Sequence, residues 1–217
     1  MPEYDAEALR VSLKVVYYGP ALSGKTTSLL RLHERLSPER RGDLVTLDTY
    51  QDRTLFFDLL PFFMVAPSGL KVKVKVYTVP GQVRYDATRK AVLSRADGVV
   101  FVADSLASQQ RNNAESFANL EENCRLLGMD VNAVPLVVQF NKRDLPEIVS
   151  EAEVRSRWEQ AGVPIRLSTA LTGQGVVETF LEVVRLSYGA CDRTLQLKAE
   201  HGLTEDMFID QLGFTDA

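Results

Sequence analysis

Five short apolar runs punctuate the chain, at Lys14 to Tyr18, Val72 to Val79, Val99 to Ala103, Val134 to Phe140 and Pro164 to Ser168, and helical spacing separates most of them. Such alternation predicts right-handed crossovers and a mainly parallel sheet with helices on both faces. Val99 to Ala103 and Leu136 to Val138 are continuously apolar, the pattern of central strands buried on both sides. The run Lys71-Val72-Lys73-Val74-Lys75-Val76 instead alternates strictly, so one face of that strand meets solvent. Its lysines either guard a sheet edge, the preferred expectation, or meet an acidic partner. Phe62-Phe63-Met64-Val65 is apolar enough for a further buried strand, with an exposed partner patch as the alternative.

Helix signals fill the intervals. Lys25 to Leu36 opens one helix; Glu151 to Ala161 forms another, with Ser150 and Glu153 as a capping box and Gly162 and Pro164 as the stop. A last core helix runs about Val176 to Tyr188 with Phe180, Leu181 and Val184 inward, and Cys124 lies on an apolar helical face with Phe117, Leu120 and Leu127. Residues 191–217 then hold Arg193 and Lys198 against Asp192, Glu200, Glu205, Asp206, Asp210 and Asp216, so the whole chain's net charge of −4 resides in this tail. The chain therefore divides into a core domain, residues 1–190, and an acidic C-terminal extension, residues 191–217, partly helical or disordered. Within the extension, Thr204 to Leu212 reads as a short helix capped by Thr204 and stopped at Gly213. Its Met207 or Phe208, with Leu212, is expected to dock on the core or a partner, with the acids near Lys71, Lys73 and Lys75.

Composition narrows the function. The charge argues against a general nucleic-acid binder. No run of about 18 apolar residues predicts a membrane span, so membrane association would come through a partner. Two cysteines, Cys124 and Cys191, make neither a disulfide framework nor a metal site and suit a reducing cytoplasm.

The chemistry starts between the first strand and first helix, where Gly19 to Thr26 spells G-x-x-x-x-G-K-T. In that context the pattern is a phosphate-binding loop. Backbone N–H groups from Ala21, Leu22, Ser23, Gly24 and Lys25 can point inward around a polyphosphate, Lys25 reaches the outer phosphates, the Thr26 hydroxyl ligates magnesium, and Thr27 follows in the first helical turn. Asn141-Lys142-Arg143-Asp144, directly after a central strand, selects the base. The Asp144 carboxylate can accept both N1–H and N2–H of guanine, whereas adenine offers no such pair and its misfit costs roughly 1–3 kcal/mol. Lys142 would lie over the base and Asn141 would tie this loop to the phosphate loop; Thr169-Ala170-Leu171 resembles the S-A-K element of small GTPases, which implies that the Ala170 N–H meets the guanine carbonyl. Thr78-Val79-Pro80-Gly81-Gln82 supplies candidate γ-phosphate contacts, with Gly81 offering an N–H and Gln82 orienting water. This stretch resembles the D-x-x-G-Q of Ras-like proteins, whose aspartate supports the metal; with threonine at 78 that role falls to Asp52, Asp58 or solvent, or metal binding is weaker. Thr54 is the expected second metal ligand. Arg53 is either a surface charge, preferred from spacing alone, or an arginine finger supplied in cis.

These segments, together with Asp52 to Asp58 and Asp97 to Ser105, resemble the MglA-like bacterial small Ras-like GTPases of cell polarity and gliding motility, from about Lys14 to Tyr188. The resemblance implies a Ras-like P-loop NTPase G domain of α/β class that binds GTP with Mg²⁺ and hydrolyses it slowly to GDP and phosphate, monomeric and cytoplasmic, with recruitment to a cell pole. It further implies that Arg53 and Gln82 are catalytic in the activated state, that Thr78 is a family trait, and that a homodimeric Roadblock/LC7, MglB-like activator reorganises the switches ahead of effector binding. Ala21 departs from the glycine of better-known members, so its methyl is expected to crowd Gln82 and slow hydrolysis; a GTP-gated scaffold with negligible turnover is the competing expectation.

Overall fold

The computed structural model describes residues 2–36, 45–46, 58–82, 85–158 and 161–214. The chain begins with a hairpin of β1 (Glu3–Asp5) and β2 (Arg10–Tyr18), followed by α1 (Lys25–Arg35). Then come β3 (Val45–Thr46), β4 (Asp58–Val65), β5 (Lys71–Thr78), α2 (Asp86–Leu93), β6 (Gly98–Asp104), α3 (Gln110–Leu126) and β7 (Leu136–Asn141). The remainder is α4 (Glu151–Trp158), β8 (Ile165–Leu167), α5 (Val176–Leu195), α6 (Leu197–His201) and α7 (Glu205–Asp210).

Among the described residues the strands form a single sheet in the order β3-β4-β5-β2-β6-β7-β8, with β1 paired to β2. The five strands read from the apolar runs pair in parallel, whereas β1, β3 and β4 are antiparallel to their neighbours. Parallel pairing puts the carboxyl ends of β2, β5, β6, β7 and β8 on one sheet edge, where ligand contacts collect in open α/β sheets. β6 and β7 are buried along their whole length. On one side α1, α5, α6 and α7 cover the inner faces of β2, β4 and β5; on the other, α2, α3 and α4 cover β6 and β7.

The alternating lysine strand has the solvated face its pattern requires, but it is not an edge. β5 lies between β4 and β2, because the Phe62 to Val65 run is itself an antiparallel strand that pairs with it. Along β4 the two expectations for that run divide by residue: Phe62 and Met64 are buried, while Phe63 and Val65 are 52% and 54% exposed.

α5 continues past Tyr188, since Cys191 and Leu195 extend the buried stripe at helical spacing. Gln196 in the left-handed region ends it, and the Asp192 side chain accepts from the Lys198 N–H at 2.8 Å as α6 starts. In α7 the Thr204 hydroxyl accepts from the Met207 N–H, as the capping pattern requires. Leu197, Leu203, Phe208 and Leu212 are buried in the core, and the Tyr188 hydroxyl donates to Leu203 O at 2.7 Å. Phe214 completes an aromatic trio with Phe62 and Phe180, Gln211 accepts from the Val65 N–H at 3.0 Å, and His201 meets the Ser68 hydroxyl at 3.0 Å. Among the described residues no tail acid pairs with a β5 lysine: Glu205 lies 3.8 Å from Arg185, and Lys75 pairs with Glu3.

Truncating the fully buried Phe208 to Ala is expected to cost about 3–5 kcal/mol in urea unfolding. Met207→Ala, one position away on the solvent side, should cost under about 1 kcal/mol, and equal losses would contradict the docked face.

Candidate functional site

The loop between β2 and α1 wraps a cavity of about 420 Å³ lined by Ala21, Leu22, Gly24 to Thr27, Thr78 to Gln82 and Tyr85. Gly24 sits at φ 101° as the residue before α1, and a Cβ there would fall 2.1 Å from Asn141 Nδ2. Only glycine permits both that backbone and that approach. Lys25, first in the helix, is buried and donates to the backbone oxygens of Gly19 at 3.1 Å and Pro20 at 2.6 Å. Burial, helped by the nearby Arg89 charge, holds its ammonium down to about 7. A buried cation whose hydrogen-bond partners among the described residues are neutral carbonyls is poised for an anion.

Across the cavity, Thr78 is buried at the end of β5 and Gln82 is half-buried. Gly81 packs directly on the phosphate loop, where a Cβ would lie 2.3 Å from Ala21 Cα. Ala21 and Gln82 therefore line the same cavity, as the crowding expectation requires. Asp52, Arg53 and Thr54 lie outside the described residues. Asp58 opens β4, and the register that sets Leu59 opposite Tyr77 brings this end of the strand alongside Thr78.

Asn141 joins the loops. It is buried at the end of β7; its Nδ2 donates to Ser23 O at 2.8 Å, and its Oδ1 accepts from the Ala170 N–H at 2.8 Å and the Ser168 hydroxyl at 3.1 Å. The tie to the phosphate loop is as read from the sequence. The Ala170 N–H, assigned there to a base carbonyl, is instead committed to Asn141, because the turn after β8 presses Ala170 into the core. Thr169 is buried beside it, its N–H bonded to Gln174 O. Lys142, at φ 68°, extends to Asp104 at the end of β6 with Nζ to Oδ2 at 2.6 Å, and Asp144 is exposed.

Two contributors escape sequence reasoning. Asp104 anchors Lys142 and accepts from the Leu106 N–H, and Asn113 secures it through both backbone groups. Its only signal is a carboxylate closing an otherwise apolar strand. Arg89 on α2 is fully buried, with its guanidinium 4.3 Å from the Tyr18 ring centroid and one nitrogen donating to Ser116 Oγ at 3.0 Å. Among the described residues its Nε and other terminal nitrogen have no hydrogen-bond partner. Asn119 and Asn123 of α3 donate to Asp86 Oδ1 and meet the Tyr18 hydroxyl, so α2, α3 and the strand feeding the phosphate loop form one network.

The donor set suits a polyphosphate: a buried lysine, a second buried cation that shifts it, and a glycine-shaped cradle. For a divalent ion, Thr26 lines the cavity in the first helical turn, and among the described residues no group of three or more His, Cys, Asp or Glu gathers at any point. A metal here would be held by hydroxyl and phosphate oxygens. Among the described residues no helix is long and apolar enough to cross a membrane.

Residues 64–186 match the ADP-ribosylation factor family. The chain is 46% identical over 176 residues to the mutual gliding-motility protein MglA of Myxococcus xanthus, covering 81% of this chain and 90% of that protein. It is 26% identical over 191 residues to the Ras and EF-hand domain-containing protein of Xenopus tropicalis, covering 82% of this chain and 24% of that protein.

Lys25 makes anion binding pH-dependent. Between about 7 and its ordinary value of 10.5 the unfolded chain holds a proton that the folded chain lacks, so stability without nucleotide rises with pH through this window. A polyphosphate restores the charged form. Binding GTP at about pH 8.5 should take up close to one proton and at about pH 6 almost none, read by calorimetry in buffers of different ionisation enthalpy. Lys25→Met should abolish the buffer dependence. Asn141→Ala, which strands Ser23 O and the Ala170 N–H, should lower unfolding stability by roughly 1–3 kcal/mol; an unchanged urea midpoint would refute the linking role.

Proposed function

As the chain belongs to the ADP-ribosylation factor family and, within it, to the MglA-like small GTPases, we propose that it is a GTP switch for bacterial polarity or gliding motility. The observation that carries the reading is the amide of Asn141, the first residue of the guanine-type base motif, which bonds to the phosphate loop that lines the cavity.

In this reading the loop N–H groups of Ala21 to Lys25 and the Lys25 ammonium hold the β- and γ-phosphates, and Asp144 accepts from the guanine edge. Asn141 positions the base loop, with Thr169 and Ala170 beside it, and Lys142, steadied by Asp104, covers the base. Gln82 orients the attacking water in line with the leaving oxygen, Gly81 donates to the γ-phosphate, and Arg53 neutralises charge that develops in transfer. Mg²⁺, when bound, supplies Lewis-acid stabilisation of the phosphate oxygens, with Thr26 and Thr54 as its protein ligands.

A homodimeric Roadblock-type, MglB-like activator reorganises the switches without inserting an arginine of its own, and nucleotide state selects effectors. The protein acts in the cytoplasm as a monomer and is recruited to a pole through partners. The relative's name, a gliding-motility protein, supports the assignment of process.

Phosphate release from magnesium-loaded protein with GTP, alone and with the cognate Roadblock-type protein, tests this reading. Slow turnover accelerated by the partner, and lost in Arg53→Ala and Gln82→Ala, is the expected result. Tight GTP binding with no turnover in either condition would identify a nucleotide-gated scaffold. Because Ala21 shares the cavity wall with Gln82, Ala21→Gly should raise the single-turnover rate, and an unchanged rate would remove crowding as the cause of slow hydrolysis.

A further inference from the structure

We infer that the uncovered sheet face built from β4, β5, β2 and β1 is a docking surface for an acidic protein segment bearing an apolar side chain. Strand register fixes its composition. Val65, Lys71, Arg10 and Asp5 make one cross-strand row, Phe63, Lys73, Ser12 and Glu3 the next, and Pro61, Lys75 and Lys14 a third. The opposite faces of these strands carry the core residues. On the uncovered side, among the described residues, the helical layer reaches only Val16, Tyr18 and Tyr77 of β2 and β5. Lys71 starts β5 and Thr78 ends it, so the surface begins roughly 20 Å along the strand from the nucleotide cavity.

Two properties define the occupant. The first is charge: Arg10, Lys14, Lys71, Lys73, Lys75 and Arg95 gather here, with Asp97 beside Lys14, against Glu3 and Asp5 of β1. Among the described residues the β1 carboxylates pair with Lys75, Arg95 and Arg10 at 3.4–3.9 Å, and none pairs with Lys71 or Lys73. The second is apolar area: Phe63 and Val65 stand half-exposed side by side, and Lys73 lies 5.0 Å above the Phe63 ring. A carboxylate-rich segment answers the free lysines, and one apolar side chain covers Phe63 and Val65.

The pattern favours a protein over an anionic membrane. A bilayer would meet Glu3 and Asp5 as repulsive charges on the rim, whereas a protein can place a cation opposite them and gain register from the mixed signs. β1 shows the charge pairing this face supports: its backbone pairs antiparallel with β2, and its Glu3 and Asp5 lie 3.4–3.9 Å from Lys75 and Arg10. The face shares no side chain with the proposed nucleotide contacts, so the inference stands apart from that reading.

The test uses the full chain and three labelled probes: a glutamate-rich peptide with one central leucine, its glutamine counterpart, and vesicles of phosphatidylserine with phosphatidylcholine. Fluorescence anisotropy at low salt should show the acidic peptide binding, with affinity at least about ten-fold above the glutamine peptide and falling with added salt. Lys71→Glu with Lys73→Glu should weaken it at least about ten-fold, Phe63→Ser should weaken it further, and GTP affinity should be unchanged in both, reporting an intact fold. The milder Lys71→Gln with Lys73→Gln pair should give an intermediate loss. Bound peptide should also protect Lys71 and Lys73 from acetylation read by mass spectrometry. No binding by the acidic peptide, equal binding by the glutamine peptide, or vesicle binding that the lysine variants abolish would each overturn the inference.

Discussion

The site depends on one side chain that meets neither solvent nor, in the proposed reading, the reacting atoms. The Asn141 amide bonds to the phosphate loop through one atom and to the loop after β8 through the other, at full burial. Its position follows from sheet topology: parallel pairing sets Asn141 beside Asp104, and both lie at the strand ends that share an edge with the end of β2. Polar residues at the tips of buried apolar strands are costly unless bonded to one another. Here those mutual bonds assemble a ligand site, so the requirement that stabilises the edge also shapes the cavity.

Charge works in two regimes on the same sheet. At the carboxyl edge Lys25 and Arg89 are desolvated, Arg89 is close enough to shift Lys25, and both are committed to neutral partners or to an aromatic face. A field in such low-dielectric surroundings is strong and local. At the opposite end, Lys71 and Arg10 stand in solvent, where salt screens them within about 10 Å and their influence is on encounter and orientation. Burial, more than the number of cations, separates a point of capture from a surface that steers.

Much of this was legible in the sequence, for a physical reason: strand burial on two faces leaves continuous apolar runs, and close backbone approach leaves glycines at fixed spacing. β6, β7 and the Gly19 to Thr26 loop are therefore found at nearly their true positions. Alternation along β5 reports one wet face but not how many strands flank it, and for that reason the edge expectation failed. α5 runs to Leu195, seven residues past the expected end at Tyr188, because Cys191 and Leu195 carry its apolar stripe on at helical spacing into the charged extension. Arg89, Asp104 and the Ala170 N–H take their meaning from partners supplied by other elements, and no local period records such contacts.

The C-terminal extension changes the mechanics of the strand that follows the Asp52 to Thr54 stretch. Phe214 grips Phe62 and bridges to Leu36 at the end of α1, Gln211 holds the Val65 N–H, and His201 holds Ser68 in the turn between β4 and β5. Sliding β4 by two residues along β5 would keep its buried side chains facing inward, so periodicity alone offers little resistance to such a step. The terminus supplies the missing resistance. It acts as a detent, a set of contacts that fit one setting of the strand, so the last residues of the chain help fix the register of a strand more than a hundred positions earlier.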